Sequence, residues 1–352
     1  MGPPIEGAAM ETSKFTIDPI ESETDLVDRM TEPVPEVTDA VSRIDGEVMI
    51  LGIAGKMGLT LGELLVRSGA RGVIGVSRFS SPGDREYLEA RGIRTVRCDL
   101  IDDDALRRLP EVGHIILLAG HKFGSTGNEP LTWAMNALLP GKVMQRFPDS
   151  RVVYVSSGNV YRFVPPNSGG SVESSTLDPI GEYAQSRLGG ERLAAYYAER
   201  NGTPLAIIRL FYATELRYGV FLDIAQRVWT GQPIDLTMGY VNQIWQGDAN
   251  AYLARSFPLC ESPARVLNMT GSDQLEIRDV ALKLGVLMGR TPVFEGEESQ
   301  TALLGNASEL FDLMGLPRVT TGEMMEWVAA WVMNGGPTLG KPTKYESRNG
   351  QF

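Results

Sequence analysis

Residues 47–58 read EVMILGIAGKMG. Val48 to Leu51 is a short unbroken apolar run, the mark of a strand buried on both faces. Gly52, Gly55 and Gly58 follow at three-residue spacing, and a helical pattern begins at Met57 and runs to Ser68. A chain leaving a strand this way must turn sharply, bring its backbone close to any bound phosphate, and aim a helix N-terminus at it. Strand before and helix after is the context in which a glycine triplet points to a dinucleotide. An ordinary tight turn is the plain alternative.

The same alternation continues downstream. GVIGVSR (72–78), RTVRCDL (94–100), HIILLAG (114–120), SRVVYVSS (150–157) and PLAIIRLFYA (204–213) read as further strands, with helix-like stretches between most of them. This predicts an α/β fold, a doubly wound parallel sheet of Rossmann type with a smaller C-terminal lobe. The boundaries expected are an N-terminal arm at 1–45, a dinucleotide-binding domain at 46–211, a substrate lobe at 212–334 partly interleaved with the sheet, and a tail at 335–352. In the arm, SETDLVDRM suggests a short helix capped by Ser22 with Asp25 closing a capping box. Pro19, Pro33 and Pro35 punctuate the rest, and Ile17, Ile20, Leu26 and Val34 would pack it on the body. A partly disordered tail is the alternative for this arm. Helices are expected near Phe221–Thr230, Ile277–Met288, Thr301–Met314 and Met324–Met333. The tail, GGPTLGKPTKYESRNGQF, shows no periodicity and is expected to lie along the surface.

Of 352 residues, 43% are hydrophobic and 22% charged, an ordinary globular balance. A net charge of −11 argues against a nucleic-acid partner, which needs clustered Lys and Arg. Two cysteines give neither a disulfide framework nor metal spacing, and two histidines are too few for a zinc site, so no metal is expected. No apolar run approaches the roughly 20 residues of a membrane span. The first fifteen residues lack the pattern of a secretory signal. Cytoplasmic residence is the expectation.

The end of the second strand bears on cofactor choice. An acidic residue there would bind a free ribose 2′-hydroxyl. The sequence instead has Ser77 and Arg78, and Lys56 lies inside the glycine loop. Both cations could pair with a 2′-phosphate, which favours NADP over NAD, unless both simply face solvent. Asp99 and Leu100, ending the third strand, are placed to meet the adenine.

The motifs taken together resemble the extended short-chain dehydrogenase/reductase superfamily, its NAD-dependent epimerase/dehydratase group, over about Val48 to Val332. The loop has the group's G-x-x-G-x-x-G spacing. LLAGHKFG (117–124) is similar to the segment after strand four in UDP-galactose 4-epimerases. The resemblance implies cofactor contacts from Ala119, Gly120 and Lys122, with Met57 beside the glycines. EPLTWAMNA places Asn136 at a structural, cofactor-contacting asparagine. VVYVSSGNVY and YAQSR align Ser157 and Tyr183 with the catalytic serine and tyrosine. IIRLF and IWQGDAN match later landmarks at Arg209 and Asp248. Three departures stand out: Arg187 replaces the group's lysine, Tyr212 stands where an asparagine is usual, and Pro140 interrupts the helix after Asn136.

The group's chemistry implies Tyr183 as proton acceptor and donor, Ser157 polarising the reacting oxygen, and Arg187 supplying a positive field. Free tyrosine ionises near ~10, and a cation ~5 Å away favours the phenolate by roughly 3 kcal/mol. Arginine keeps that charge but presents a longer, planar fork, and Lys122 could share its role. His121, Asn159 and Tyr212 are substrate-side candidates, each equally readable as an exposed loop residue or as packing. The function expected is an oxidoreductase or epimerase acting on a sugar or another polyhydroxylated small molecule. The rival is a non-catalytic NADP-binding sensor or scaffold. A homodimer is expected through the Trp133 and Tyr183 helices, with Gly189, Gly190 and Ala194 allowing close approach.

Overall fold

The computed structural model describes residues 17–351, so the reading of the first fifteen residues lies outside it. Six strands of the sheet come in order: β1 Val48–Leu51, β2 Val73–Ser77, β3 Arg94–Arg97, β4 His114–Leu117, β5 Arg151–Ser157 and β6 Leu205–Leu210. A seventh strand of the sheet comes from far downstream, after four short ones: β7 Tyr212–Thr214, β8 Pro233–Asp235, β9 Tyr240–Val241 and β10 Gln243–Trp245. That strand, β11 Arg265–Met269, pairs with β6. The sheet order is β11-β6-β5-β4-β1-β2-β3, parallel throughout. β12 Leu275–Glu276 and β13 Val293–Glu295 complete small pairings with β9 and β8 in the lobe.

Period-two alternation divides the apolar residues between the two faces of the sheet. Val48 and Ile50 join Val153, Val155, Ile208 and Leu267 in one buried cluster; Met49 and Leu51 join Ile74, Tyr154 and Ile207 in the other. Both faces are dry because helices cover both, which is why the strands read as unbroken apolar runs. β3 closes the edge with Arg94 and Arg97 exposed, charges that discourage further pairing.

The helices are α1 Glu23–Met30, α2 Pro35–Ser42, α3 Gly58–Arg67, α4 Asp84–Glu89, α5 Asp103–Arg107, α6 Glu129–Trp133, α7 Leu139–Arg146, α8 Gly181–Asn201, α9 Val220–Thr230, α10 Gln246–Ala254, α11 Ile277–Met288, α12 Ser308–Met314 and α13 Thr321–Met333. The arm is ordered on the body. Ser22 caps α1, its hydroxyl accepting from the Asp25 amide at 3.1 Å while the Asp25 carboxylate accepts from the Ser22 amide at 3.1 Å. Ile20, Leu26 and Val34 are buried, and Ile17 packs on the lobe core. α2 has no counterpart in the sequence reading: Pro35 sits at its first position, where a missing N–H is no loss, so the prolines that look like breaks begin a helix.

Two expectations need correction. Residues 301–304 do not begin a helix. Ala302 exchanges two backbone hydrogen bonds with Val164 at 2.9 Å each, and Ala302, Leu303 and Leu304 are all buried. An extended segment buried on both sides satisfies them, and helix starts only at Ser308. Pro140 does not interrupt the helix either. A π-turn, Ala134–Leu138, joins α6 to α7, and Pro140 lies in the first turn of α7. A proline has no N–H for the carbonyl four residues back. Here that carbonyl, of Asn136, accepts instead from the Tyr154 hydroxyl at 3.5 Å. Gly190 packs on the same carbonyl and Gly189 on Ala137 and Trp133, while Ala194 is buried. These small residues serve packing within the chain.

Candidate active site

At the C-terminal ends of β1, β2 and β4 the backbone forms a cradle. Gly52 has φ +93, and a Cβ there would lie 2.7 Å from the Ala119 nitrogen. At Gly58 a Cβ would stand 2.2 Å from the Ile53 carbonyl oxygen. Neither position admits a side chain. α3 starts at Gly58 with no side-chain cap from Met57, leaving its first N–H groups to meet an anion. Beside it lies a cleft of about 260 Å³ lined by Gly52, Gly55, Ser77, Arg78, Asp99, Leu100, Ala119 and Gly120, as expected from sequence. Ser80, Ser81, Asp84, Cys98 and Met135 line it as well. Sequence reading misses these; the polar run directly after β2 is the available signal for Ser80, Ser81 and Asp84. Arg78 is exposed at this end. Asp84 across the cleft has its carboxyl pKa pushed up, by burial first and then by Glu86. A glycine cradle, an uncapped helix start and a cleft of this shape fit the adenosine and diphosphate of a dinucleotide.

Lys56 is not at that end. Its ammonium donates to the Ala213 carbonyl at 2.7 Å and lies 4.2 Å from the centre of the Tyr218 ring. It cannot serve a ribose 2′-phosphate from there. The loop conformation that lets Gly52 and Gly58 approach their neighbours turns the Lys56 side chain toward the lobe. Burial, with smaller contributions from Lys122 and Arg217, lowers its pKa to about 7, against the pull of Glu215. Lys122 arrives from the loop after β4. Its ammonium stands 5.9 Å from the Tyr183 ring centre, 6.0 Å from that of Tyr212 and 5.8 Å from that of Phe123. Burial, aided by Lys344, lowers its pKa to about 8, with Asp223 opposing.

Tyr183 sits in the first turn of α8, 9% exposed. Ser157 ends β5, nearly buried, its hydroxyl oxygen accepting from the amide of Asn159 at 3.2 Å and from the Asn159 side chain at 3.0 Å. With both acceptor positions used, its own O–H is left to donate. Arg187, one turn after Tyr183, lies 4% exposed beneath the loop after β4. Its guanidinium donates to the Val155 carbonyl, lies 5.1 Å from the Tyr154 ring centre, and would meet a Cβ on Gly120 at 2.7 Å. The Lys122 ammonium faces the Tyr183 ring, while the Arg187 guanidinium faces the Val155 carbonyl and the Tyr154 ring. Arg187 holds the backbone, and its charge opposes the burial that pushes Tyr154 up to about 12.

Asn136, fully buried at the π-turn, is a strut. Its oxygen accepts from the His121 amide at 2.7 Å, and its nitrogen donates to the His121 carbonyl at 2.9 Å and to Ser186 at 3.1 Å. It fixes the Gly120–Lys122 loop against α8. The His121 ring is near the Gly124 carbonyl, 3.3 Å away. Tyr212 is half-buried, with its pKa raised by burial and then by Glu346. Behind Ser157 a buried ion pair joins Arg209 to Glu191 at 2.8 Å; Ser156 donates to Glu191 at 2.6 Å, and Arg209 to the Tyr161 hydroxyl at 2.6 Å. Asp248, the other landmark, accepts from the Val319 amide at 2.9 Å, away from this cleft.

Among the described residues no cluster of three or more His, Cys, Asp or Glu could hold a metal ion, and no helix is long and apolar enough to cross a membrane. A family model, the NAD dependent epimerase/dehydratase family, matches residues 48–214. A Saccharopolyspora erythraea protein named ATP phosphoribosyltransferase is 26% identical over 196 residues, 53% of this chain and 61% of its own. The uncharacterised UDP-glucose epimerase YtcB of Bacillus subtilis is 24% identical over 183 residues, 47% of this chain and 56% of its own. The matches span less than two thirds of either relative. A solved structure of UDP-glucuronic acid 4-epimerase from Bacillus cereus, in complex with NAD, superposes with a TM-score of 0.69 at 18% identity, over 82% of this chain and 100% of that one. At this identity the superposition establishes the Rossmann-type fold. The cradle, the ordered motifs and the family model agree: over residues 48–214 the chain is similar to the NAD dependent epimerase/dehydratase family, a group of the extended short-chain dehydrogenase/reductase type.

Proposed function

We propose that the chain is an NAD(P)-dependent enzyme acting on a hydroxyl- or carbonyl-bearing carbon of a sugar, in the first instance as an epimerase of a nucleotide sugar. The observation that carries this is the approach of the Lys122 ammonium to the Tyr183 ring, together with a Ser157 whose oxygen accepts twice from Asn159. A nicotinamide, when bound, would accept a hydride from the carbon and return it. Tyr183 takes the proton of the reacting hydroxyl and later gives it back. Ser157, with its oxygen already accepting twice from Asn159, donates its O–H to the reacting oxygen. Lys122 supplies the positive field at the phenol ring, and Arg187 and Asn136 hold the backbone that frames it. That the neighbouring Bacillus cereus protein is a UDP-glucuronic acid 4-epimerase supports the substrate class.

The test is incubation of the purified chain with either dinucleotide and a panel of UDP-sugars and UDP-uronates, with product analysis at the sugar's stereocentres. A new epimer or a reduced cofactor is the expected outcome. Neither, across sugars, uronates and polyols, would leave the sensor reading, which the anchoring of Arg187 on Val155 favours.

For the cofactor, Arg78 and the lack of an acidic residue ending β2 support NADP, while Asp84 in the same cleft opposes a 2′-phosphate. Comparison of the two dissociation constants decides between them; tighter NAD binding refutes the NADP assignment. A homodimer is supported by Leu131, Trp133, Leu138, Leu193 and Tyr196, apolar and exposed on the α6–α8 face. Light scattering at micromolar concentration tests it, and a monomeric mass would refute it.

A further inference from the structure

The N-terminal arm closes a second cavity. It measures about 110 Å³ and lies where the end of α1 and the turn after it meet α10 and the start of α13. It shares no lining residue with the glycine-lined cleft. One water needs roughly 10–15 Å³ of such space, and a drug-sized ligand about 300–1,000 Å³. This cavity therefore suits a very small molecule. Its dry wall is Met30 and Val34 from the arm, Leu64 from α3, and the Trp245 and Trp327 rings, whose centres are 5.3 Å apart; all five residues are buried. Gly247 lets the parts close up. A Cβ there would stand 2.6 Å from the Trp245 indole nitrogen and 3.1 Å from the Met30 Cα.

Five charged side chains line the same space: Arg29, Glu32, Asp248, Arg318 and Glu323. Three of them are engaged. Arg318 pairs with Glu32 at 3.5 Å, and the Glu323 carboxylate accepts from the Thr320 amide and hydroxyl, each at 2.8 Å. Asp248 and Arg29 make no ion pair with each other or with another described residue. For Asp248 this is unusual within the chain. Among the described residues four carboxylate side chains are buried. Glu63 meets Arg91 at 2.6 Å, Glu191 meets Arg209 at 2.8 Å and Glu215 meets Arg217 at 3.2 Å. Asp248, 7% exposed, has the neutral Val319 amide at 2.9 Å and no cation. A charge taken out of water is ordinarily paired. Burial accordingly pushes its pKa up to about 6, against the Val319 amide and the more distant Arg318. Arg29 is exposed, its guanidinium 5.5 Å from the Trp327 ring centre. A buried carboxylate short of a cation thus shares a small cavity with an exposed guanidinium short of an anion.

We propose that this cavity is a second binding site, for a small zwitterion of the α-amino acid class, with its ammonium on Asp248 and its carboxylate on Arg29. The site is independent of the chemistry at Tyr183. Apart from Leu64, its lining lies outside the residues matched to the family, and it gives the arm a role in recognition.

The test is calorimetric titration of the full chain, saturated with dinucleotide at about pH 7.5, with glycine, L-alanine and L-serine. Ethylamine and propionate, which carry one charge each, are titrated beside them. At least one amino acid binds with a Kd of about 1 mM or tighter, and each single-charge compound binds at least about tenfold more weakly. Asp248→Asn keeps the shape, removes the charge and weakens the amino acid about tenfold or more, the loss expected for one charge-assisted hydrogen bond. Urea unfolding of that variant checks its fold. Arg29→Gln, at an exposed position where folding is not at stake, weakens the amino acid about fivefold or more and decides the matter should Asp248→Asn not fold. Dinucleotide affinity is unchanged in both. The proposal is overturned if none of the three amino acids binds the parent, if either folded variant binds as the parent does, or if ethylamine binds as tightly as the amino acid.

Discussion

The glycine-lined cleft and the cluster of side chains around Lys122 are built differently. At the adenosine end the walls are mostly main chain: the β1–α3 loop, the strand ends and the start of α3, with glycines where a Cβ would collide. At this side-chain end the parts come from scattered segments: Lys122, from the loop after β4, faces the rings of Tyr183 on α8 and Tyr212 on β7, and Lys56, from the glycine loop, faces that of Tyr218. A backbone-built site is written locally, because each glycine answers to a neighbour a few residues away or to the next strand. A side-chain-built site depends on where distant segments meet.

The largest expected effect comes from the beam under the side-chain end. Arg209 and Glu191 are each 4% exposed and tie β6 to α8, with Ser156 of β5 joining them. Arg209→Met leaves a buried carboxylate unpaired and should cost about 3–5 kcal/mol in urea unfolding. Replacing both partners by Met should recover part of that loss. A single-variant cost below about 1 kcal/mol would show that the pair does not brace this end.

At the backbone-built end, Gly52→Ala meets both a left-handed φ and the Ala119 nitrogen. A dinucleotide affinity reduced about 30- to 100-fold is expected, equivalent to about 2–3 kcal/mol. Unchanged affinity would mean that the loop does not cradle the cofactor.

The same contrast governs how much of the molecule is legible in its sequence. The glycine loop, the buried strands, the Ser22 capping box and the helix at Ile277–Met288 follow from period, propensity and capping within one segment. Ser157, Tyr183 and Asn136 are recognisable by their order in a motif set, yet the role of Asn136 as a strut for the His121 backbone is not. Lys56 reads as part of the adenosine end because nothing in a glycine-rich loop encodes where its one long side chain turns. Pro140 looks like a helix break because the Tyr154 hydroxyl that takes up the orphaned carbonyl comes from β5. The anchoring of the tail is illegible because its partners, Asp223, Arg217, Thr301 and Gly181, are all far away in sequence.

The lysines of the side-chain end predict a pH dependence. Lys56 and Lys122 titrate near about 7 and about 8 in the folded chain, below an ordinary lysine. Above those values and up to the ordinary lysine value of 10.5 the unfolded chain holds more protons, so their contribution makes stability rise with pH from about 7 to 10.5. Lys56→Met should flatten the stability slope and raise stability near pH 6.5. An unchanged slope in the variant would remove Lys56 as its source.

A smaller effect marks a control outside both ends. Burial raises the Asp248 pKa to about 6. A carboxyl whose folded pKa is raised gains stability from its proton at low pH and loses it as pH rises through about 6. Asp248→Asn should therefore stabilise the chain at pH 7.5 by on the order of 1–2 kcal/mol, with the difference vanishing below about pH 4 and dinucleotide affinity unaffected. No gain at pH 7.5 would contradict this.

The central claim is that the side-chain end performs proton transfer beside a bound nicotinamide. Its most direct test compares Tyr183→Phe with the parent for conversion of the sugar nucleotide identified in the product screen, with dinucleotide affinity measured in parallel. We predict a fall in turnover of at least about 100-fold with dinucleotide affinity within about twofold of the parent. Turnover retained by the phenylalanine variant would contradict the account.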